Sequence, residues 1–269
     1  MKSQKLKWPH LFARAGVFVA LIVGTSLPVL SAEKRSANAE NSVNGPGSIS
    51  GVWVQSTQVL ISTLPARERL ARTVDGKLPP LLPAAAALVE QRMVNADKNR
   101  PFANSASLCL PQGIPYMLFG ARSGPIQILE TPGQVTILSE ELGEHWLIYL
   151  TGAHPKPSDL EPTYHGDSLA KWLHGSLVVD TVGVSVKTTL DQVGTPHSDA
   201  LHVTTEIRRV DSTTLEFLFT FDDPKTFAAP WKRSVQYKRA KSGERIEEEV
   251  CEAQHIHADA EGYQVYDLN

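Results

Sequence analysis

The sequence predicts a mainly β protein, an antiparallel barrel or a β-sandwich of about nine or ten strands with one helix near residues 84–98. Short runs rich in β-branched and aromatic residues recur from Pro125 onward. Turn signals such as Pro132-Gly133 and Ser242-Gly243 separate these runs. One stretch, AAAALVEQRMVNADK, combines strong helix formers with apolar residues three and four positions apart. Closing the sheet into a barrel also removes its edges.

The first element, residues 1–32, has the pattern of a secretory signal peptide. It begins with four basic residues, Lys2, Lys5, Lys7 and Arg14. An uncharged apolar run over 15–30 follows, and Ser31-Ala32 offers a cleavage point. The run contains Pro28 and is shorter than a membrane span of about 20 residues. We therefore expect a periplasmic or secreted protein with no stable membrane insertion after cleavage. An uncleaved anchor is the alternative.

A polar segment, residues 33–48, is predicted to be a flexible N-terminal tail. Residues 49–254 are predicted to form one domain that begins with a strand over 49–58. Residues 255–269 are predicted to form a C-terminal tail, in which His255 and His257 have no functional role. The other predicted strands are IQIL, QVTIL, HWLIYL, SLVVDTVGVSV, ALHVTTEIRRV, TLEFLFTF, SVQYKR and RIEEEVC.

A long loop over residues 154–170 separates two of these strands and is predicted to lie over the barrel mouth. Loops of this length in a compact domain are usually functional or disordered. Its content of His, Tyr and Asp favours a functional loop. In the alternative interpretation these residues only make turns, and Asp167 caps a short helix over 168–173.

Charge and cysteine content limit the partners and the compartment. The formal net charge is −3, and it becomes −7 without the four basic residues of the predicted signal. An acidic surface is unsuited to nucleic acid. Cys109 and Cys251 are the only cysteines. In an oxidising compartment such a pair predicts a disulfide, and a free reactive thiol is the alternative.

Several stretches resemble a large family of exported bacterial proteins, acidobacterial and sphingomonad among them, most of which have no assigned function. The matching stretches are ISGVWV, LPPLLPAAAALVEQR, CLPQGIPYML, IQILETPGQVTILSE, IYLTGAHP, LVVDTVG, PHSDALHVTTEIRRVD and DDPKTFAAPW. Gly51 and Trp53 on the first strand are similar to a motif of lipocalins, and this similarity implies a lipocalin-like barrel.

The chain departs from the family pattern at two places. Around Trp172 the family tends to read GRWEGDTLVVDT, whereas this chain reads AKWLHGSLVVDT. The acidic residues expected near Leu173 and Gly175 are absent, and His174 appears between them. The family also tends to carry Glu-Arg where Thr205-Glu206 stand here. The resemblance implies common ancestry and no general activity.

Motifs of several enzyme classes are missing from the sequence. It contains no phosphate-binding glycine loop, no G-x-S-x-G, no H-E-x-x-H, no C-x-x-C and no dinucleotide-binding fingerprint. We therefore expect no cofactor. The chemistry that is left uses His, Asp, Glu and Tyr, or the protein binds a ligand without chemistry.

The first candidate cluster is Tyr164, His165 and Asp167, with His154 upstream and His174 downstream. Histidine titrates near neutrality and suits proton transfer, and a nearby carboxylate fixes its tautomer. Tyr164 can donate a hydrogen bond to a developing oxyanion. The histidines and Asp167 have no spacing of a compact zinc motif, so no metal site is predicted.

The second candidate cluster is His197, His202, Glu206 and Arg208. If 201–210 is a strand, then His202, Glu206 and Arg208 share one face. If this face points inward, it lines a pocket in which His202 is a base with Arg208 or Glu206 as its electrostatic partner. If it points outward, it is a solvated face. The sequence leaves both orientations open.

The sequence thus predicts a cofactor-independent lyase or isomerase that acts on a small hydrophobic or aromatic metabolite in a barrel pocket. His165 or His202 abstracts the proton, assisted by Tyr164, Asp167, His174 or Glu206. The predicted substrate-binding residues are His154, His197, Arg208 and Trp172. The alternative is a lipocalin-like carrier that binds such a molecule without catalysis.

Overall fold

Nine β-strands close into a barrel in the computed structural model, which describes residues 47–56, 64–119, 124–251 and 256–266. The strands follow chain order around the barrel, and the first pairs with the last. They are β1 (Gly51–Gln55), β2 (Ile126–Thr131), β3 (Gln134–Ser139), β4 (His145–Tyr149), β5 (Asp167–Leu173), β6 (Ser176–Val182), β7 (His202–Arg209), β8 (Thr214–Asp222) and β9 (Trp231–Arg239). The prediction of a mainly β barrel is confirmed, and the sandwich alternative is excluded.

Side chains alternate between the barrel interior and its outer face. On β7, Val203, Thr205 and Ile207 are buried, and the residues between them are more exposed. This alternation follows from the two-residue period of a strand. The polar face of β7, with His202 and Glu206, therefore points outward, which decides the orientation that the sequence left open.

One neighbouring pair of strands departs from the predicted antiparallel order. Strands β4 and β5 run parallel and meet at Tyr149 and Leu169. Parallel neighbours need a crossover connection, which residues 150–166 provide. The stretch 168–173 is part of β5 and not the short helix considered above, because it pairs along its length with β6. Residues 174 and 175 turn the chain between β5 and β6 with positive φ angles of 51° and 86°.

The predicted helix is confirmed as α1 (Pro83–Asp97). Pro83 stands at its first turn, where the missing N–H costs no hydrogen bond. Val89 and Met93 lie on its buried side. They pack with Leu70 and Val193 in a small apolar cluster beside the main core.

Residues 114–119 of the chain pack against the inward-facing side chains of the barrel. The Phe119 ring lies 5.0 Å from that of Phe219, and Tyr237 Oη donates to the Leu118 carbonyl at 3.1 Å. The Arg233 guanidinium lies 3.7 Å above the Phe119 ring. Burial lowers the pKa of Arg233 to about 10. The protein's own side chains thus fill space in which the sequence analysis expected a ligand.

The C-terminal region differs from the prediction. Residues 245–251, predicted as a strand, join no sheet. They are held by single contacts instead: Glu247 N donates to Glu140 at 2.8 Å, and Glu249 accepts from Leu142 N at 3.0 Å. The predicted tail contains a two-stranded sheet of β10 (Ile256–Ala258) and β11 (Gln264–Tyr266). Three-residue strands are too short to show a hydrophobic period.

The predicted disulfide between Cys109 and Cys251 is confirmed, with 5.6 Å between the Cα atoms. It indicates an oxidising compartment. The predicted signal peptide, most of the predicted N-terminal tail, residues 57–58 of the first predicted strand and His255 lie outside the described residues. Within the described ranges, no helix is long and apolar enough to span a membrane.

Candidate functional site

Two histidines and two aspartates alternate in a hydrogen-bonded row on the outer face of the barrel. His154 Nδ1 contacts Asp167 Oδ1 at 2.5 Å, and His154 Nε2 lies 3.3 Å from Asp180 Oδ2. The other oxygen of Asp180 contacts His202 Nε2. We call these four residues the His–Asp array. It joins the first predicted cluster to the second through Asp180.

Strand register positions the array. Asp180 of β6 pairs with Leu169 of β5 on one side and with Thr204 of β7 on the other. Asp167 and His202 each stand two residues from these partners, so both are diagonal neighbours of Asp180 on one face. His154 reaches the same face from the β4–β5 crossover. The barrel wall thus holds three of the four side chains at fixed spacing.

The hydrogen bonds of the array need one proton more than a neutral imidazole supplies. A neutral imidazole donates from one nitrogen and accepts at the other, and a carboxylate only accepts. Hydrogen bonds from His154 to both Asp167 and Asp180 therefore need a proton on each ring nitrogen or on one of the carboxylates. His202 uses Nε2 for Asp180, and Nδ1 has no partner among the described residues. Its side chain is 45% exposed to solvent.

A cavity of about 300 Å³ lies beside the array, on the outer face of β5 and β6. His154 and Asp180 contribute to its lining. The rest of the lining comes from the end of β4, the start of the crossover and the outward residues of β5 and β6, chiefly Tyr149, Leu150, Leu169, Lys171, Leu173 and Val178. We call this cavity the outer groove. It brings acid–base groups to the edge of a mostly apolar surface.

A second cavity of about 450 Å³ shares Leu173 and Val178 with the outer groove. It contains three predicted site residues, His174, Glu206 and Arg208. His174 lies in the exposed β5–β6 turn.

Glu206 and Arg208, the two predicted partners of His202, pair with other residues instead. Glu206 accepts from Ser176 Oγ at 2.8 Å, and Arg208 pairs with Glu216 at 2.6 Å. The carboxylate that contacts His202 is Asp180.

His165 belongs to a separate pair. Its Nε2 lies 2.8 Å from Glu144, a buried carboxylate that also accepts from the backbone N–H groups of Gln112 and Gly113. Tyr164 contributes its backbone carbonyl, which accepts from Ile114 N at 3.3 Å. Residues 112 and 113 are thus tied to the buried carboxylate of Glu144, which His165 also contacts. His165 and Tyr164 therefore make structural contacts here and do not touch the array.

Two predicted substrate-binding residues also lie apart from the array. His197 is buried, with Nε2 2.8 Å from Thr188 Oγ1 and Nδ1 2.9 Å from the Ser198 carbonyl. Burial lowers its pKa. Trp172 lies near the end of β5, pairs with Leu177 and is 39% exposed. Neither side chain contacts the array.

Sequence reasoning missed Asp180 and Glu144. Asp180 is the one charged residue in LVVDTVG, and its place in a run of β-branched residues hides it. The strand period was the available signal, since it puts Asp180 on the opposite face from Val179 and Thr181. Glu144 lies close to two other acidic residues, Glu140 and Glu141, and gives no comparable signal.

Within the ranges that the structure describes, no three His, Cys, Asp or Glu side chains are arranged to hold a metal ion. Comparisons of the chain with protein-family models, with curated proteins and with solved structures find no match.

Proposed function

We propose that this protein is an exported lyase or isomerase that works without a cofactor and transfers a proton on a small hydrophobic or aromatic molecule. The observation that carries the proposal is the hydrogen-bonded pair of His154 and Asp180 at the lining of the outer groove. A general acid–base pair has to lie within hydrogen-bond reach of its substrate. Groups at the lining of a groove meet this requirement, and groups inside the packed barrel do not.

Each member of the array has a role in this mechanism. The His154–Asp180 pair takes a proton from a carbon atom of the bound molecule. In an isomerase the proton returns to another carbon, and in a lyase the C–H electron pair forms a new π bond as the leaving group departs with its own electrons. Asp167 orients the imidazole through Nδ1. His202 connects Asp180 to water and resets its proton.

Export is part of the proposal. The basic start and apolar run of residues 1–32 support it, and so does the disulfide, because such bonds persist in oxidising compartments. The acidic composition favours a small molecule over nucleic acid as the partner.

Deuterium incorporation from solvent tests the proposed reaction. The purified protein, with its disulfide intact, is incubated in D₂O with a metabolite extract of the source cells, and small molecules are compared by mass spectrometry. We expect a hydrophobic metabolite to gain deuterium at carbon or to change isomeric form if the protein is an isomerase, and to lose the mass of its leaving group if it is a lyase. Asp180→Asn and His154→Asn should abolish this change, and His257→Asn, an exposed histidine of β10, should preserve it.

The outcome distinguishes this proposal from a carrier function, which the mostly apolar lining of the outer groove also favours. A metabolite that is retained by the protein, unchanged and without deuterium, identifies a carrier. Equal deuterium incorporation by wild type, Asp180→Asn and His154→Asn contradicts the role of the array.

A further inference from the structure

We infer that the outer groove takes molecules that carry a carboxylate on an apolar body, and that Lys171 binds the carboxylate. The inference rests on the outer groove being the ligand site of the proposed function. It adds the charge of the ligand and the residue that selects it.

Lys171 is a cation on an otherwise apolar part of the groove wall. It lies on the outer face of β5, with Leu169 and Leu173 two residues away on either side and Val178 opposite on β6. All four residues line the outer groove. A molecule that packs on the three apolar side chains is therefore within reach of the ammonium group.

No carboxylate among the described residues neutralises Lys171. In the described part of the chain, its ammonium group makes neither a hydrogen bond nor an ion pair. The nearest acidic residue by register is Asp180, a diagonal neighbour about 7–8 Å away. Both Asp180 oxygens already contact histidines, His154 and His202. Among the described residues, an incoming anion therefore has no competitor for Lys171.

The arginines of the adjoining cavity differ in this respect. Arg208 pairs with Glu216. Arg209 donates to the carbonyls of Ser48 at 2.8 Å and Ser212 at 2.7 Å. Both arginines thus have partners within the protein, whereas the described residues leave the ammonium group of Lys171 available to a ligand.

The separation of Lys171 from Asp180 also limits the shape of the ligand. A single ligand can place its carboxylate on the Lys171 ammonium and a C–H group at the His154–Asp180 pair. This requires that only a few bonds separate the carboxylate from the C–H group. Lys171 thus fixes the orientation of the ligand so that a carbon near its carboxylate faces the array.

Binding of two isosteric probes tests the inference by isothermal titration calorimetry. The probes are 2-naphthoate and its neutral analogue 2-naphthamide. Wild type should bind the naphthoate about tenfold more tightly at low salt, because its carboxylate adds the attraction of opposite charges to the hydrogen bond from Lys171, whereas the neutral amide offers only a carbonyl oxygen. Lys171→Met should remove this preference and leave naphthamide binding unchanged. Lys171→Arg should retain it.

Two further variants locate the effect. Lys187→Met changes an exposed lysine outside the groove and should alter neither affinity. Val178→Trp fills the groove wall and should weaken both probes. Equal wild-type affinities for the two probes, a preference that survives in Lys171→Met, or unchanged binding in Val178→Trp would each overturn the inference.

The deuterium experiment reports separately on the proposed function. Loss of the naphthoate preference in Lys171→Met, together with unchanged deuterium incorporation in Asp180→Asn, would keep the carboxylate site and reject proton transfer by the array. Deuterium incorporation that depends on Asp180, with no naphthoate preference, would reject only the role of Lys171.

Discussion

Removal of the disulfide should destabilise the barrel by several kcal/mol. The two cysteines are 142 positions apart and enclose β2 to β9. In the chain-entropy model, a cross-link over a loop of this length lowers the entropy of the unfolded chain by an amount worth about 5 kcal/mol at 25 °C. The whole free energy of unfolding of a domain is typically about 5–15 kcal/mol. The double variant Cys109→Ala/Cys251→Ala should therefore lose a large share of its stability.

Guanidinium unfolding, followed by tryptophan fluorescence, measures this loss. The midpoint of the variant should fall well below that of the oxidised wild type, and reduced wild type should match the variant. The slope of the transition should rise, because an unfolded chain without the cross-link is more expanded. A loss under about 1 kcal/mol would refute the entropic argument, since it would mean that the unfolded chain keeps residues 109 and 251 close together without the bond.

Three further predictions concern the core, a buried histidine and the array. Phe219→Ala removes the ring that packs on Phe119 and should cost about 3–5 kcal/mol in thermal or denaturant unfolding; a loss under about 1 kcal/mol would contradict tight packing there. Burial lowers the pKa of His197 from its ordinary 6.5, so the unfolded chain binds a proton that the folded protein excludes. The free energy of unfolding should therefore fall as the pH drops below 6.5, and His197→Asn should flatten this slope; equal slopes would contradict it. Asp180→Asn should lower kcat/KM for elimination of 5-nitrobenzisoxazole, read by absorbance of the nitrophenolate product, about 10²–10⁴-fold. A wild-type rate no higher than that of free imidazole would contradict this role.

The strands and the helix were predictable because their signals are local. The two-residue alternation of TLEFLFTF and the helix formers of 84–98 act within their own segments. Strand β5 was missed because DSLAKWL sits in a stretch rich in loop residues and is held by pairing with β6. The packing of residues 114–119 against the barrel interior has no periodic signal, since tertiary contacts alone position it.

The candidate site was predictable in composition and not in arrangement. His154, Asp167 and His202 were recognised as residue types suited to proton transfer. Their connection through Asp180 depends on the register of three strands, and a sequence read one segment at a time does not contain it. The aromatic side chains of β8 occupy the barrel interior. The polar faces of the neighbouring strands, which carry the array, therefore point outward.

The pairing of β1 with β9 determines when the protein is able to fold. Trp53 pairs with Arg239, so a chain that emerges N-terminus first from a ribosome or a translocation pore has no closed barrel until residue 239 has cleared the exit. Until then β1 and the newest strand both present unpaired edges, where β proteins aggregate. The barrel therefore closes only after its last strand is delivered, and until then a partly synthesised chain is exposed to aggregation at these edges.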